Sequence, residues 1–235
     1  MNGRTLALSM AAVAFIIGGV WVARNDDWAV PSAFAAEKAM LAPKPQLDAP
    51  SAGKLETAVF AGGCFWGVEG VFSHVKGVHS AVSGYSGATG KPRGYDNVST
   101  GRTGFAEAVR VTFDPRVVSY GDLMRIFFSV ATDPTTLNYQ GPDHGTQYRS
   151  ALFPINPAQA KAARAYLTQL GKSGLWKDRI VTTVEPYRGF HEAEGYHQDF
   201  MERNPRYPYI LRWDRPKLEA LKTLLPERYA VKASR

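Results

Sequence analysis

The chain of 235 residues is long enough for one large domain or two small ones, and its 45% hydrophobic, 12% aromatic and 21% charged residues exclude a disordered protein. Its net charge is +7, and residues 201–235 hold nine Lys/Arg against four Asp/Glu. The single cysteine, Cys64, excludes an intramolecular disulfide, a multi-cysteine zinc site and a dithiol relay within one chain.

The N-terminus has the features of an export signal. Residues 6–23 carry no charge, follow a short basic start, and approach the length of about 18–20 residues that crosses a bilayer. An Ala-Phe-Ala cleavage candidate ends at Ala35. We therefore expect residues 1–35 to be a signal peptide or an N-terminal membrane anchor, residues 36–53 a linker, and residues 54–235 the folded domain. This organisation predicts export to the periplasm or to the outer face of the inner membrane.

Strand and helix patterns alternate along the domain. The patterns predict strands at 55–60, 78–85, 105–113, 150–155 and 180–185, and helices at 64–76, 120–130, 158–170, 192–203 and 216–225. This order predicts an α+β two-layer sandwich in which helices pack on a mixed, largely antiparallel sheet of the ferredoxin-like kind.

Cys64 lies where the turn Gly62-Gly63 opens a helix. Unpaired N–H groups and the helix dipole favour the thiolate there, so we expect a lowered pKa. A small, inert core thiol is the alternative, but a lone cysteine in an exported protein favours a reactive one. The adjacent Phe65 and Trp66 cannot share one helical face, so either one packs inward while the other lines a pocket, or both belong to the core.

Glu107 occupies the apolar phase of its strand. It alternates with Phe105, Val109, Val111 and Phe113, so its carboxyl group should be buried and either neutral, with a raised pKa, or hydrogen-bonded. A raised-pKa carboxylic acid near a thiol is a candidate general acid. The alternative is a glutamate that leans to solvent or pairs with a buried arginine.

A third candidate region is the loop at residues 141–150. It contains Asp143 and Tyr148 among other polar residues around glycines, and functional sites are often built on such loops. Tyr95, which follows Gly94, is a weaker signal of the same kind. An ordered surface turn explains the loop equally well when it is taken alone.

Several motifs together resemble those of peptide methionine sulfoxide reductases of the A type. They are, in chain order, Gly-Gly-Cys-Phe-Trp-Gly at 62–67, Gly-Tyr at 94–95, Ala-Glu-Ala-Val at 106–109, Asp-His-Gly-Thr-Gln-Tyr-Arg-Ser at 143–150 and Glu-Gly-Tyr-His-Gln-Asp at 194–199. The resemblance covers about residues 56–208. It implies an α+β sandwich and an oxidative-repair enzyme that reduces methionine-S-sulfoxide in proteins or peptides.

The resemblance also implies roles for individual residues. Cys64 would attack the sulfoxide sulfur and become a sulfenic acid. Phe65 and Trp66 would form an apolar pocket for the S-methyl group. Glu107, Tyr95 and Tyr148 would bind and protonate the sulfoxide oxygen. Asp143 would support the site.

One departure from the family concerns the reductant. Ser99 stands where some relatives have a cysteine, so no second thiol in this chain can resolve the sulfenic acid. The expected reductant is therefore an external thiol, either a small molecule or a thioredoxin-like protein. No cofactor, metal or nucleic acid is expected. The basic C-terminal region is interpreted as a solvated face, or as a contact with anionic lipid if the N-terminus remains as an anchor.

An exported cysteine-dependent hydrolase or transpeptidase is the competing hypothesis. It requires a histidine base, for which four histidines are formally available: His74, His144, His191 and His197. The combination of Glu107 with tyrosines favours protonation of an oxygen over acyl transfer. A metal site is disfavoured because the segment from His191 to His197 lacks the H-E-x-x-H spacing.

Overall fold

A six-stranded sheet forms the framework of the domain in a computed structural model, which describes residues 39–51 and 53–231. Within these residues the strands are, in chain order, β1 (Glu56–Gly62), β2 (Val78–Ser86), β3 (Ala106–Phe113), β4 (Tyr139–Gln140), β5 (Asp143–His144), β6 (Ser150–Leu152), β7 (Thr183–Val184) and β8 (Phe190–Glu192).

The pairing of these strands agrees with the sequence. The sheet has the order β7-β6-β1-β3-β2-β8, while β4 and β5 pair separately as a small hairpin. Neighbouring strands are antiparallel except for the parallel pair β6 and β7. The predicted mixed, largely antiparallel sheet is confirmed. The central order β6-β1-β3-β2 is extended by one short strand at each edge.

Among the described residues, two of the six helices begin at a side-chain N-cap that the sequence indicates. They are α1 (Phe65–Ser73), α2 (Tyr95–Val98), α3 (Tyr120–Ile126), α4 (Pro157–Lys172), α5 (Phe200–Arg203) and α6 (Arg215–Leu224), with π-helical turns at Phe127–Ala131 and Ile210–Asp214 and a 3₁₀ turn at Thr146–Tyr148. Ser119 caps α3 in a capping box with Asp122, and the Asn156 side chain accepts from the Gln159 N–H at the start of α4.

The main core lies between one face of the sheet and the helices. Phe60 of β1 stacks on Phe72 of α1 and on Phe127, with ring centroids 5.2 Å apart in both pairs. Leu123 of α3 and Tyr166 of α4 belong to the same buried cluster. The other face of the sheet carries a smaller cluster, composed of Val59, Ala61, Ala106, Ala108, Ala151 and Phe153. The α+β layering predicted from the element order is therefore observed.

Two elements near the C-terminal half differ from the predictions. The predicted helix at 192–203 is wrong except for its last turn, α5, because Glu192 belongs to strand β8, which pairs with β2, and residues 193–199 form a non-helical segment that ends in a turn. Asp199 adopts a left-handed backbone conformation, φ 52°, which interrupts any helix that reaches it. The predicted strand at 180–185 is limited to β7.

The segment predicted as a linker is irregular in conformation but lies on the domain. We call its described part, residues 39–51, the N-terminal strap. Ala42 is fully buried, and its N–H donates to the Ser129 hydroxyl at 3.0 Å. The Asp48 carboxylate accepts from the Gly121 N–H at 2.7 Å. The linker interpretation missed these contacts because they join residues more than seventy positions apart in the chain.

The predicted signal peptide or anchor, residues 1–35, lies outside the described residues. In the part of the chain that the structure describes, no helix combines the length and apolar character needed to cross a bilayer.

Candidate active site

Cys64 occupies the N-cap position of α1, directly after the turn that ends β1. Gly63 has φ +90°, and a Cβ atom there would lie 2.5 Å from the Cβ of Gln140. The Gln140 amide is held in place by hydrogen bonds of 2.8 Å to the backbone of Asp133. Both the backbone conformation and this close contact require glycine, so the turn fixes the position of the thiol.

The electrostatics of the thiol correct one expectation. The backbone N–H of Trp66 lowers the pKa of Cys64, as its position at the helix start predicts, but burial of the thiol raises it by more. The carboxylates of Asp214, Glu107 and Asp143 raise it further. The net result is a pKa well above the ordinary value, and the prediction of a lowered pKa is wrong. The thiol is 9% exposed and protonated in the resting site.

Glu107 is buried, as its place in the β3 pattern predicts. It is 2% exposed, and its Oε2 accepts a hydrogen bond of 3.0 Å from the Phe65 N–H. Burial raises its pKa to about 8; the Phe65 bond opposes this shift, and the charges of Asp143 and Asp214 add to it. At neutral pH this carboxyl group holds its proton beside the first turn of α1.

Tyr95 and Tyr148 lie close to the same carboxyl group. Burial and the charge of Glu107 raise the pKa of Tyr95 to about 12, and the two tyrosines share a hydrogen bond. The pKa of Tyr148 is also raised, by burial and then by Glu107, Tyr95, Asp143 and Cys64. Both hydroxyl groups therefore remain protonated and can donate hydrogen bonds.

Asp143, at the start of β5, is paired with a residue that the sequence did not single out. The Tyr209 hydroxyl donates to the Asp143 carboxylate, and Tyr209 feels the charge of Cys64 as well. Burial raises the pKa of Asp143, while the Tyr209 bond and Lys217 lower it. Tyr209 is thus a third tyrosine at this site. Because it lies 66 positions from Asp143 in the chain, no local pattern indicated it.

The two aromatic residues after Cys64 differ in burial, although both rings contact His197. Phe65 is buried, with its ring centroid 5.9 Å from Tyr85 and 4.9 Å from His197. Trp66 is half-buried and stacks on Phe200 at 3.8 Å. Phe65 belongs to the core, and Trp66 packs against the same core while staying partly exposed.

Two further buried residues were missed as parts of the site. Asp214 is 1% exposed, its charge raises the pKa of Cys64, and a Cβ on Gly67 would overlap its carboxylate. His197, named from the sequence only as a possible base for a hydrolase, is 2% exposed and accepts from the Trp66 indole N–H. Asp214 is the last residue of a π-helical turn that no sequence pattern predicted, so nothing in the sequence marked it as a neighbour of Cys64.

None of the histidines considered as bases for a hydrolase is among the groups that shift the pKa of Cys64, and each has another contact. His74 bonds the Gly70 carbonyl oxygen at 2.8 Å, and His197 bonds Trp66. His144 stacks on the ring of Tyr139, and His191 packs edge-on against the ring of Phe105. The charged groups that act on Cys64 are carboxylates, which does not support an acyl-transfer site. Among the described residues, no cluster of three or more His, Cys, Asp or Glu side chains is arranged to hold a metal ion.

Comparison with known proteins gives consistent matches. A family model described as peptide methionine sulfoxide reductase matches residues 56–227. Peptide methionine sulfoxide reductase MsrA 2 of Mesorhizobium japonicum is 54% identical over 186 residues, which cover 79% of this chain and 95% of that protein. MsrA of Methanothermobacter thermautotrophicus is 52% identical over 153 residues, 65% of this chain and 90% of that protein.

Solved structures agree with these sequence matches. Reduced Mxr1 from Saccharomyces cerevisiae aligns with a TM-score of 0.59 and 33% identity, covering 69% of this chain and 92% of that one. Methionine sulfoxide reductase A of Corynebacterium diphtheriae aligns with a TM-score of 0.56 and 32% identity, covering 77% and 93%. The chain belongs to the peptide methionine sulfoxide reductase family, A type, and is a peptide-methionine (S)-S-oxide reductase.

Proposed function

We propose that Cys64 is the nucleophile of methionine-S-sulfoxide reduction in this chain and that Glu107 is its general acid. The observation that carries this assignment is the 3.0 Å hydrogen bond from the Phe65 N–H to Glu107, which holds a buried, protonated carboxyl group at the residue next to the thiol. A single thiol and a neutral acid are the groups that reduction of a sulfoxide to a thioether requires.

The substrate combines an apolar chain with a polarised S–O group, and the site offers a surface for each. The half-buried Trp66 and the buried Phe65 supply an aromatic wall for the S-methyl group. Glu107, Tyr95 and Tyr148 are all protonated; because one hydroxyl of the tyrosine pair donates to the other, Glu107 and one tyrosine hydroxyl remain to donate to the sulfoxide oxygen. Asp143 and its partner Tyr209 support this set of donors.

The proton inventory follows from the raised pKa values. Glu107 gives its proton to the sulfoxide oxygen while the Cys64 sulfur bonds to the substrate sulfur, and the thiol proton replaces the one that Glu107 has lost. The hydroxyl group then passes to the Cys64 sulfur as methionine leaves. One thiol and one sulfoxide become one sulfenic acid and one thioether, so atoms and electrons balance.

The family acts with thiol reductants, and in this chain the thiol must come from outside. Cys64 is the only cysteine, so the sulfenic acid has no partner in the same chain. We propose that an external thiol, from a small molecule or a thioredoxin-like protein, attacks the Cys64 sulfur with loss of water. A second thiol then releases Cys64 as a thiol and leaves as a disulfide.

A single-turnover assay tests this proposal. Enzyme is mixed with excess methionine-S-sulfoxide or the R epimer, without a reductant, and methionine and dimedone-trapped sulfenic acid are counted. One methionine per enzyme is expected with the S epimer, together with dimedone on Cys64. Cys64→Ser should give none. Appreciable turnover by Cys64→Ser, or two methionines per wild-type enzyme, would contradict the mechanism.

We also propose that the protein is exported and that residues 1–35 are either cleaved or kept as a membrane anchor. The proposal is supported by the uncharged run at residues 6–23 and the Ala-Phe-Ala sequence that ends at Ala35. Fractionation of cells that express the full chain with a C-terminal tag tests it. Recovery of the uncleaved chain in the cytoplasmic fraction would contradict both forms of the proposal.

A further inference from the structure

A hydrogen bond links the aromatic wall to a histidine 131 positions away. The Trp66 indole N–H donates to Nδ1 of His197 at 3.1 Å. His197 is 2% exposed, and the rings of Phe65, Tyr95 and Tyr196 lie 4.9, 4.5 and 4.2 Å from its own. This histidine therefore lies behind the wall and contacts both of its aromatic residues.

The direction of this bond fixes the protonation state of the histidine. An indole nitrogen only donates, so Nδ1 must accept and cannot carry a proton. The neutral ring then carries its proton on Nε2, a buried atom for which no hydrogen-bond partner is found among the described residues. A protonated imidazole would present an N–H to the indole N–H, and the bond would be lost.

The groups around His197 favour the neutral ring. Burial lowers its pKa, and Glu194 is the charge that opposes this shift. Glu194 is itself committed elsewhere, since it accepts from the Tyr85 hydroxyl and from the Tyr95 N–H, both at 2.8 Å. The other titratable groups packed on the ring are the neutral Tyr95 and Tyr196.

The backbone beside His197 is also fixed. The neighbouring Gln198 side chain donates to the carbonyl oxygens of Ser83 and Ala193 at 2.9 Å and accepts from the Ser83 N–H at 3.0 Å. These bonds attach the turn to β2. The acceptor that faces Trp66 is thus held by the sheet, and the Asp199 N–H adds a bond of 3.0 Å to the Glu69 carboxylate of α1.

We propose that His197 is a positioning residue that, as a neutral acceptor, sets the orientation of the Trp66 ring in the substrate pocket. The proposal rests on the role of Trp66 given above. Phe200 stacks on the indole and the rings of Tyr207 and Tyr209 lie perpendicular to it, and such ring contacts do not by themselves fix the direction of the indole N–H. The bond to Nδ1 fixes that direction.

Two substitutions separate the acceptor from the ring. His197→Leu removes the acceptor, and we expect KM for a methionine-S-sulfoxide peptide to rise about tenfold with a smaller change in kcat. His197→Asn places a neutral amide oxygen near the position of Nδ1 and should recover most of that loss. Exposed His79, at the opposite end of β2 from the site, gives the control His79→Gln, which should behave as the wild type.

The hydrogen bond itself is read by NMR of protein labelled with nitrogen-15 tryptophan. Trp66→Phe identifies the Trp66 indole signal among the five tryptophans. This signal should shift in His197→Leu and remain in His197→Asn. In the wild type it should shift as acidification protonates His197, and in His197→Asn that pH dependence should be absent. If the Leu variant does not fold, the comparison of Asn with the wild type still tests the bond.

Each contrary result overturns a definite part of the proposal. If the Trp66 indole signal has the same chemical shift in His197→Leu as in the wild type, the bond between Trp66 and His197 is not formed. A shifted signal with unchanged KM means that the orientation of Trp66 does not matter for binding. Equal loss in the Leu and Asn variants assigns the effect to the imidazole ring and not to its acceptor. Unchanged KM in Trp66→Ala would instead refute the pocket role of Trp66, while the NMR result would remain valid.

Discussion

Replacing Glu107 with glutamine tests the central chemical claim, because the change removes a proton and little else. The glutamine amide oxygen can still accept from the Phe65 N–H, now made by Glu107 at 3.0 Å. With a pKa of about 8, the native carboxyl group is protonated in about nine of ten molecules at about pH 7, whereas an ordinary glutamate is protonated in fewer than one in a hundred. A positioned general acid contributes about 10²- to 10⁴-fold to the rate.

We therefore expect Glu107→Gln to lower the single-turnover rate of methionine formation by about 10²- to 10⁴-fold, with little change in the sulfoxide concentration that gives half the maximal rate. In the wild type the rate should fall as pH rises through about 8, because Glu107 then loses the proton it donates. The variant should lack that fall. The exposed Glu192 provides the control Glu192→Gln, which should keep both the rate and the pH profile.

The same substitution should stabilise the fold. The native state holds the Glu107 proton up to about pH 8, while the unfolded chain releases it near the ordinary value of 4.5, so the native state is penalised as pH rises between these values. At about pH 7 the penalty is about 3 kcal/mol, and glutamine does not carry it. Urea unfolding at several pH values measures the gain. A variant that keeps its activity, or a stability difference that does not grow with pH, would refute the reasoning.

Two further predictions concern packing around the site. Gly67→Ala should destabilise the fold by about 1–3 kcal/mol and slow turnover, because the new methyl group overlaps the Asp214 carboxylate. The control Gly171→Ala has open space around the new methyl group and should stabilise α4 by about 0.5–1 kcal/mol. Equal unfolding midpoints of the two variants in urea would contradict the overlap. Asp48→Ala should lower the free energy of unfolding by about 1–3 kcal/mol, because the Gly121 N–H loses its acceptor at 2.7 Å. The single-turnover rate should not change. An unaltered urea unfolding midpoint would mean that the N-terminal strap is not bound to the domain.

Features that depend on neighbours in the sequence were predictable. The alternation of β3 placed Glu107 in the core, and Ser119 marked the start of α3, because strand faces and helix caps are decided within a few residues. The turn at Gly63 and the helix that follows Cys64 could be predicted for the same reason. The motifs indicated the protein family, and the order of the strands and helices predicted the sheet and its helical layer.

Features that depend on residues far apart in the chain could not be predicted from the sequence. The helix predicted at 192–203 is observed only at Phe200–Arg203, because Gln198 is hydrogen-bonded to the Ser83 backbone of β2 and Asp199 takes a left-handed conformation.

The thiol shows the division most clearly. From the sequence, Cys64 is the single cysteine at a helix start, and that position does lower its pKa through the Trp66 N–H. The fold buries it beside Asp214, Glu107 and Asp143, and these raise the pKa by more. The sequence by itself indicated the sulfur that we propose as the nucleophile, and it determined that no second cysteine in the chain can pair with the oxidised form. Only the tertiary structure decided that this atom is protonated at rest, because desolvation and charge act through space between groups that are far apart in the chain.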